Sequence, residues 1–415
     1  MGSILKRSII RTLVPLAAIT LVATACSDED DEGGQPAATG GEATTAESSA
    51  GSADSVASGG TGSTTAGGGS GTTAGSGTTA GTGSTTAGSA VDEVQSGDSL
   101  LDEVIANDSV KCGTRDDLPG FASVDDAGDH VGFDADFCRV IAAGILGDAT
   151  KVEFVDVATE ARFTALQAGE IDVLVRNTTW TASRDGTEGA TFLHPLFYDG
   201  QQMMVGADSG FDSIDAMDGA VICVAAGTTT EGNVATEFAA RGITADVQSF
   251  ESVDLIQEAF LANRCDGWSS DGSQLAGIRS NWPDGPEALT IFEDVFSKEP
   301  LTPAVSDGDA QWAQAVNWVL LATVQAEEYG ITSENVDDML AGEDAAIAQF
   351  LGGETEDGTT LDTGLGLSPD FAYNIVSQVG NYGEIFENNL SQLELERGLN
   401  ALWSDGGLQY APPYR

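Results

Sequence analysis

The sequence predicts an α/β protein made of two strand–helix units that face each other across a cleft, joined by two extended crossings and preceded by a leader and a linker. Three observations predict it. Short apolar runs of strand length alternate with segments whose apolar residues recur at helical spacing, the pattern of a largely parallel sheet. The alternation comes in two series, with extended segments near 203–207 and 298–305 between and after them. The composition ahead of residue 97 is of a different kind, poor in large apolar residues beyond the first 25. At 415 residues the chain is long enough for a leader, a linker and two lobes of ordinary domain size.

Taken in order, residues 1–25 read as a targeting segment. Lys6, Arg7 and Arg11 make a basic region, and Thr12 to Ala25 is an apolar stretch ending in small residues. It is shorter than the ~20 apolar residues of a comfortable membrane span. Val22-Ala23-Thr24-Ala25-Cys26 resembles a bacterial lipobox, whose cysteine is lipidated after cleavage, with Ala23 standing where leucine is usual. The alternative is a plain secretory leader with an unrelated Cys26. Residues 26–96 are rich in Gly, Ser, Thr and Ala and cannot bury enough surface to offset chain entropy, so the sequence predicts a disordered tether or spacer. About seventy such residues reach ~45 Å as a random coil and ~240 Å when extended.

The folded part is expected over 97–415: a first lobe at 97–205, a second at 206–299, and a helical return to the first at 300–415. Leu100, Leu101, Val104 and Ile105 have helical spacing, and Val110 to Arg115 reads as a strand entering a loop. Val131 to Asp134 ends a second strand, with Asp134 as helix cap ahead of the apolar face Phe137, Val140, Ile141 and Ile145. Val152 to Val155 is strand, and Glu160 to Ala168 is helix. Ile171 to Val175 is a run buried on both faces, broken by Arg176, Asn177, Thr178 and Thr179. Arg184 follows close behind. This is either a strand feeding a carboxylate cradle, with helix N–H groups and a guanidinium at hand, or an ordinary capped helix with a surface arginine.

The second series starts after Met203-Met204-Val205, placed in a crossing. Val221 to Ala225 is strand, and Thr228 to Glu231 has the spacing of a capping box at a helix start. Ser252 to Leu261 is helix, and Cys265 to Asp271 is a strand ending in an acid. Past the second crossing, Trp312, Val316, Val319, Leu320 and Val324 share a helical face. In such sheets ligands sit beyond the carboxyl ends of strands, where Arg115 and Asn177 to Thr179 fall.

Charge narrows the function. Sixty-six acidic against 16 basic residues give a net charge of −50, which excludes general nucleic-acid binding because phosphates need clustered Lys and Arg. Acidity of this strength suits a solvated surface in salt-rich surroundings. Seven Lys or Arg lie between Ser99 and Val205, and four of them (Arg115, Arg162, Arg176, Arg184) occupy cleft-facing segments. Arg176 either meets the ligand or pairs with an acidic neighbour.

Several motifs then coincide in one order: Cys112-Gly113, Gly132 to Arg139, Arg162 to Gly169, Arg176 to Thr181, Ala226 to Thr230, Gln378 to Phe386 and Gly406 to Pro413. In these residues the chain resembles the solute-binding proteins of polar amino-acid ABC importers (solute-binding protein family 3), in particular their general L-amino-acid-binding branch. The resemblance spans about Ser99 to Arg415. It implies a two-lobed type II periplasmic-binding fold with two crossover hinge strands that closes on one L-amino acid, and an ABC importer permease as partner. It implies no cofactor, no nucleic-acid partner and a monomer held outside the cytoplasm, at the bacterial surface or in the periplasm, on the membrane through an N-terminal lipid at Cys26.

By position in that family, Arg184 holds the ligand α-carboxylate with help from Thr179 and the backbone near Asn177. Thr228 and Thr229 add N–H and hydroxyl donors from the other lobe, and Asp271 takes the α-ammonium. A desolvated zwitterion needs both charges met, and partners on different lobes make the ligand stabilise closure. Arg115 and Arg162 match positions that reach the side-chain carboxylate in acidic-amino-acid binders. Leu118 stands where binders of basic amino acids place an aromatic. Glutamate, aspartate and their amides are therefore expected ahead of lysine and arginine, since an arginine contact repels a cationic side chain. Trp180 and Trp268 either line the cleft or pack in the interior, and buried packing is expected of each.

Some proteins of this fold are periplasmic dehydratases, the alternative reading. No catalytic residue is predicted, because the chain shows no Ser-His-Asp or Cys-His arrangement. No metal site is predicted either: His130 and His194 lie in unrelated turns and no two cysteines are close. A bridge across the lobes would block the hinge motion the family implies. Cys112 is therefore paired with Cys138 and Cys223 with Cys265, one bridge per lobe, and four free thiols are the alternative.

Overall fold

The structure is a computed structural model and describes residues 99–355 and 357–414. The leader, the tether and Cys26 lie outside the described residues.

In chain order the first part comprises α1 (Leu100–Asn107), β1 (Val110–Thr114), β2 (Asp117–Leu118), β3 (Ala122–Val124), β4 (His130–Val131), α2 (Phe133–Leu146), β5 (Val152–Asp156) and α3 (Arg162–Gln167). It continues with β6 (Val173–Leu174), α4 (Ala182–Thr187), β7 (Ala190–Phe192) and β8 (Phe197–Asp199). Then come β9 (Gln201–Gly206), β10 (Ala220–Ala225), α5 (Thr229–Arg241), β11 (Ala245–Phe250), α6 (Val253–Leu261), β12 (Gly267–Asp271), α7 (Gly272–Ser280) and β13 (Leu289–Ile291). The return comprises β14 (Glu299–Leu301), β15 (Ala304–Ser306), α8 (Ala310–Glu328), α9 (Val336–Leu340), α10 (Ala345–Phe350), α11 (Phe371–Gln378) and α12 (Tyr382–Leu390).

Two five-stranded sheets make the two lobes, ordered β5-β1-β6-β15-β7 and β11-β10-β12-β9-β13. In each, three neighbouring strands run parallel and two more add antiparallel pairing. Val173 and Leu174 are both fully buried, as their unbroken apolar run requires: the cluster of α2, α8, α11 and α12 covers one face of the first sheet, and Phe163, Leu166 and Phe192 the other. The second sheet is likewise covered on both faces, by α6 and α7 with Trp268 and Phe260 on one and by α5 with Val234 and Phe238 on the other. Each lobe thus has its own core.

The lobes are joined by β8 and β14, which pair antiparallel with Asp199 opposite Glu299. The first crossing therefore lies earlier than the sequence suggested. Met203-Met204-Val205 belongs to β9 and pairs with β12 and β13 inside the second sheet. An apolar triplet serves a crossing or a buried strand equally well, and only its pairing partners decide.

Two helix starts also differ. Gly132, not Asp134, precedes α2: its φ of 121° suits glycine, and a Cβ there would run into the Phe121 carbonyl. Asp134 is buried within the first turn. Thr228 does precede α5, but no capping box forms. Its hydroxyl donates to the Ala225 carbonyl (2.6 Å), while the Glu231 carboxylate accepts from the Gly227 N–H (3.1 Å). A capping box does form in the tail motif, where Asn381 and Glu384 cap α12 reciprocally and Tyr382 donates to the Leu196 carbonyl (2.7 Å). That motif holds the returning helices to the first lobe.

Disulfides join Cys112 on β1 to Cys138 on α2, and Cys223 on β10 to Cys265 just ahead of β12. Each lies within one lobe and leaves the crossings unlinked. With sequence separations of 26 and 42 residues, loop-closure entropy makes each worth about 3–4 kcal/mol. Among the described residues no helix is long and apolar enough to cross a membrane.

Candidate functional site

The carboxyl ends of β1, β6, β10 and β12 converge on one small cavity between the lobes. All eight residues singled out from the sequence line it: Arg115, Arg162, Asn177, Thr179, Arg184, Thr228, Thr229 and Asp271. So do Arg176, Thr159, Thr230, Ser270 and Gln274.

The first lobe supplies the cations. Arg115 leaves the end of β1, donates through Nε to Asp117 Oδ1 (2.5 Å) and reaches Asn177 Oδ1 (3.2 Å) through Nη1. Arg176 lines the cavity but is turned back onto its own lobe, donating to the Val157 carbonyl (2.7 Å) and to Thr159 Oγ1 (2.9 Å). The ion pair with an acidic neighbour does not form, because a carbonyl and a hydroxyl take its donors instead. Arg184 donates to the Thr179 carbonyl (2.9 Å), and Arg162 and Arg184 both donate to the Gly227 carbonyl of the other lobe (3.2 and 3.4 Å). Phe163 lies under both guanidinium groups, 5.3 and 5.7 Å from the ring centre, and holds them side by side.

Among the described residues, Arg115 alone of these four arginines has a carboxylate within 4.0 Å. Arg162 Nε is buried without any hydrogen-bond partner. Burial, reinforced by the neighbouring Arg184, Arg176 and Arg115, holds the Arg162 guanidinium well below its ordinary pKa. Burial, then Arg115, pushes Arg176 down to about 9, still charged at neutral pH. The wall is short of negative charge.

Asn177 is fixed by an unexpected residue. Its φ of 30° is left-handed, and its N–H donates to the buried Asp134 carboxylate (2.9 Å). Burial raises Asp134 to about 6 against the opposing pull of that bond and of Arg115 and Arg176. Strain of this kind in a non-glycine residue persists only where the surroundings over-determine it. Asp134 thus positions the backbone turn at the end of β6.

The second lobe supplies hydroxyls and acid. Thr229 donates to the buried Glu299 (2.9 Å), so both threonine hydroxyls expected to face a ligand are engaged within the protein. What α5 offers the cavity is its uncapped first-turn N–H groups, at the positive end of the helix. Asp271 ends β12, begins α7 without capping it, and is in none of the ion pairs of the described residues. Burial, then Asp199 and Glu299, raises its pKa well above the usual carboxylate range. Burial likewise raises Asp199 to about 6. This wall is short of positive charge.

The tryptophans stand outside the cavity. Trp268 is fully buried, as expected, but Trp180 is 40% exposed and stacks on Phe192, contrary to the packing role expected of it. Trp180 follows the buried Thr178 and Thr179, its N–H donating to the Pro300 carbonyl (2.9 Å), and its side chain turns outward. His130 pairs with Asp156 (2.9 Å) from β4, a strand rather than a turn, and His194 pairs with Gln409 (2.7 Å).

A two-lobed fold with a charged cavity at the strand ends is that of the ligand-binding proteins of the type II periplasmic-binding class. Residues 110–335 match the model of the bacterial extracellular solute-binding proteins, family 3, and the chain belongs to that family. It is 45% identical over 320 residues to the general L-amino acid-binding periplasmic protein AapJ of Rhizobium johnstonii, covering 76% of this chain and 93% of that one. It is 43% identical to the glutamate/glutamine/aspartate/asparagine-binding protein BztA of Rhodobacter capsulatus, covering 76% and 94%. Among solved structures, an ABC transporter periplasmic binding protein from Brucella ovis with glutathione bound matches at 44% identity and a TM-score of 0.74, over 76% of this chain and 99% of that one.

Proposed function

We propose that the protein captures a polar L-amino acid between its lobes and delivers it to the permease of an ABC importer, acting as a binder and not as an enzyme. One observation carries this reading. Among the described residues, the buried Arg162 and Arg176 and the half-buried Arg184 have no carboxylate partner, and they share a single cavity with a buried Asp271 that has no cationic one. An α-amino acid brings the missing ammonium and carboxylate together, and buried charges must be paired. In this reading Arg184, with Thr179 and the N–H groups near Asn177 and at Thr228–Thr229, holds the α-carboxylate, and Asp271 takes the ammonium. Arg115 and Arg162 face the side chain, so acidic amino acids and their amides are favoured over lysine and arginine. The name of BztA, which mentions glutamate, glutamine, aspartate and asparagine, supports that order, and that of AapJ, which mentions general L-amino acids, supports a site that accepts several of them. No relative named above is described as a dehydratase.

We further infer the flanking organisation from the sequence: a leader over 1–25, lipidation at Cys26, a tether over 26–96 and a monomeric binding unit on the outer face of the membrane. The binding unit divides into a first lobe up to the crossing β8, a second lobe up to β14, and the returning helices thereafter. A thermal-shift screen of the purified protein against the common L-amino acids and glutathione tests the function. A ligand at a hundred times its dissociation constant adds ~2.7 kcal/mol of stability. Stabilisation by glutamate, aspartate or their amides is the expected result; stabilisation by lysine and arginine alone would reject the side-chain assignment, and by no amino acid the whole reading.

A further inference from the structure

The lobes also meet along α7, from Gln274 at the edge of the cavity to Gly277 beyond it. Gln274 and Gly277 are one turn apart on that helix and share a face. The Gln274 side-chain Oε1 accepts from Arg115 Nη1 and from Asn177 Nδ2, both of the first lobe, at 3.4 Å each. One turn on, a Cβ at Gly277 would stand 2.7 Å from the Pro119 carbonyl oxygen and 3.4 Å from Leu118 Cδ1. Both neighbours belong to the first lobe, where Leu118 is fully buried in the core. The Pro119 carbonyl is main chain in the short connection between β2 and β3 and cannot turn aside as a side chain would.

Glycine weakens a helix, and an alanine would serve α7 better if its own lobe were the only concern. Gly232 on α5 has open space around it and shows what a helical glycine without a close neighbour looks like. We propose that the Gln274–Gly277 face of α7 is the latch that sets how far the lobes close, and that Gly277 is a positioning residue whose bare Cα allows full closure. The lever is short and stiff. Asp271 stands at the head of the same helix, about 9 Å from Gly277. A few tenths of an ångström refused at Pro119 is therefore carried to the ammonium partner and to the Gln274 contacts at once. The latch rests on the proposed amino-acid binding.

The test is calorimetric titration of the purified full chain with L-glutamate, with thermal unfolding of the ligand-free protein alongside. Gly277→Ala is expected to weaken L-glutamate by about tenfold or more without lowering the ligand-free melting temperature. Gln274→Leu, similar in size but without the acceptor, is expected to weaken it as well, and Gly232→Ala to leave it unchanged. Unchanged affinity in Gly277→Ala overturns the latch. A lowered ligand-free melting temperature in that variant also overturns it, because the glycine would then serve packing that exists without closure. Failure of the wild type to bind any L-amino acid overturns the binding reading and the latch together.

Discussion

On the first-lobe side of the cavity stand Arg115, Arg162, Arg176 and Arg184; on the second-lobe side stand Thr228, Thr229, Thr230, Ser270, Asp271 and Gln274. Among the described residues no ion pair joins the two walls, although Arg184 and Arg162 pull against the rise of Asp271 from across the cavity. Arg162 and Arg184 reach across only to a carbonyl, that of Gly227, and Asp271 is crowded instead by Asp199 and Glu299. Like charges gathered in a buried place are costly, and each wall shows the cost in pKa: guanidiniums pushed down on one side, carboxyls pushed up on the other. Had the arginines paired directly with the acids, the lobes would close on each other without a ligand and gain little by binding one. Keeping the walls apart in sign and unpaired makes a zwitterion the piece that completes them, so that closure depends on capture.

The largest effects should come from removing one wall's partner for the ligand. Arg184→Ala and Asp271→Ala should each cost about 2–5 kcal/mol of binding, roughly thirty- to several-thousand-fold in affinity, with the fold intact. They should differ in kind. Asp271→Ala should lose the preference for an amino acid over its des-amino analogue, whereas Arg184→Ala should keep it. Near-normal calorimetric affinity in either variant would break the two-wall account. A smaller and more selective effect is expected for Arg162→Ala. Losing a charged hydrogen bond costs ~1.5–3 kcal/mol, and the loss should fall on glutamate more than on glutamine. Competition titration of the two amino acids measures it; an equal loss for both would move Arg162 off the side-chain end.

What the sequence made legible follows the same division. Arg115 and Arg176 could be read because they sit just past apolar runs, and a buried strand followed by polar residues marks a strand end in an α/β sheet, whereas Arg162 and Arg184, on α3 and α4, took their roles from the family resemblance. Asp271 was readable for the same reason at the end of Cys265 to Asp271. Residues whose part depends on the other lobe were not readable. Gln274 and Gly277 look like any positions in a helix until Arg115, Asn177 and Pro119 are brought against them. Asp134 read as a cap because an acid before an apolar helical face usually is one; the turn at Asn177 that it holds is 43 residues away. The capping-box spacing at Thr228 and Glu231 was present, yet the Ala225 carbonyl and the Gly227 N–H took the two side chains instead. Met203 to Val205 carried no mark of its sheet. Local patterns locate strand ends, and contacts between lobes remain invisible to them.

The smallest expected effect separates the walls by pH. Asp199, raised to about 6, and Asp271, raised well above its ordinary value, hold on to their protons because burial and mutual repulsion disfavour their charges. For folding, the sign is that of an acid with a raised native pKa: its contribution is present below the unfolded value and declines as pH rises through about 6. For binding the sign reverses. An incoming ammonium favours the ionised carboxyls, so the complex holds fewer protons than the free protein, and affinity must rise with pH, the part carried by Asp199 lying around pH 6. If one proton is released, the gain between pH 5 and pH 7 is about tenfold. Asp134, also raised to about 6, sits behind Asn177 among Arg115 and Arg176 on the other wall, so its titration should touch stability and leave this linkage alone. Asp199→Asn should therefore flatten the binding profile while the wild type keeps its slope. Affinity for L-glutamate that is constant or falls from pH 5 to pH 7 would show that the second wall is already ionised without the ligand, and that its charge is balanced by something other than the ammonium.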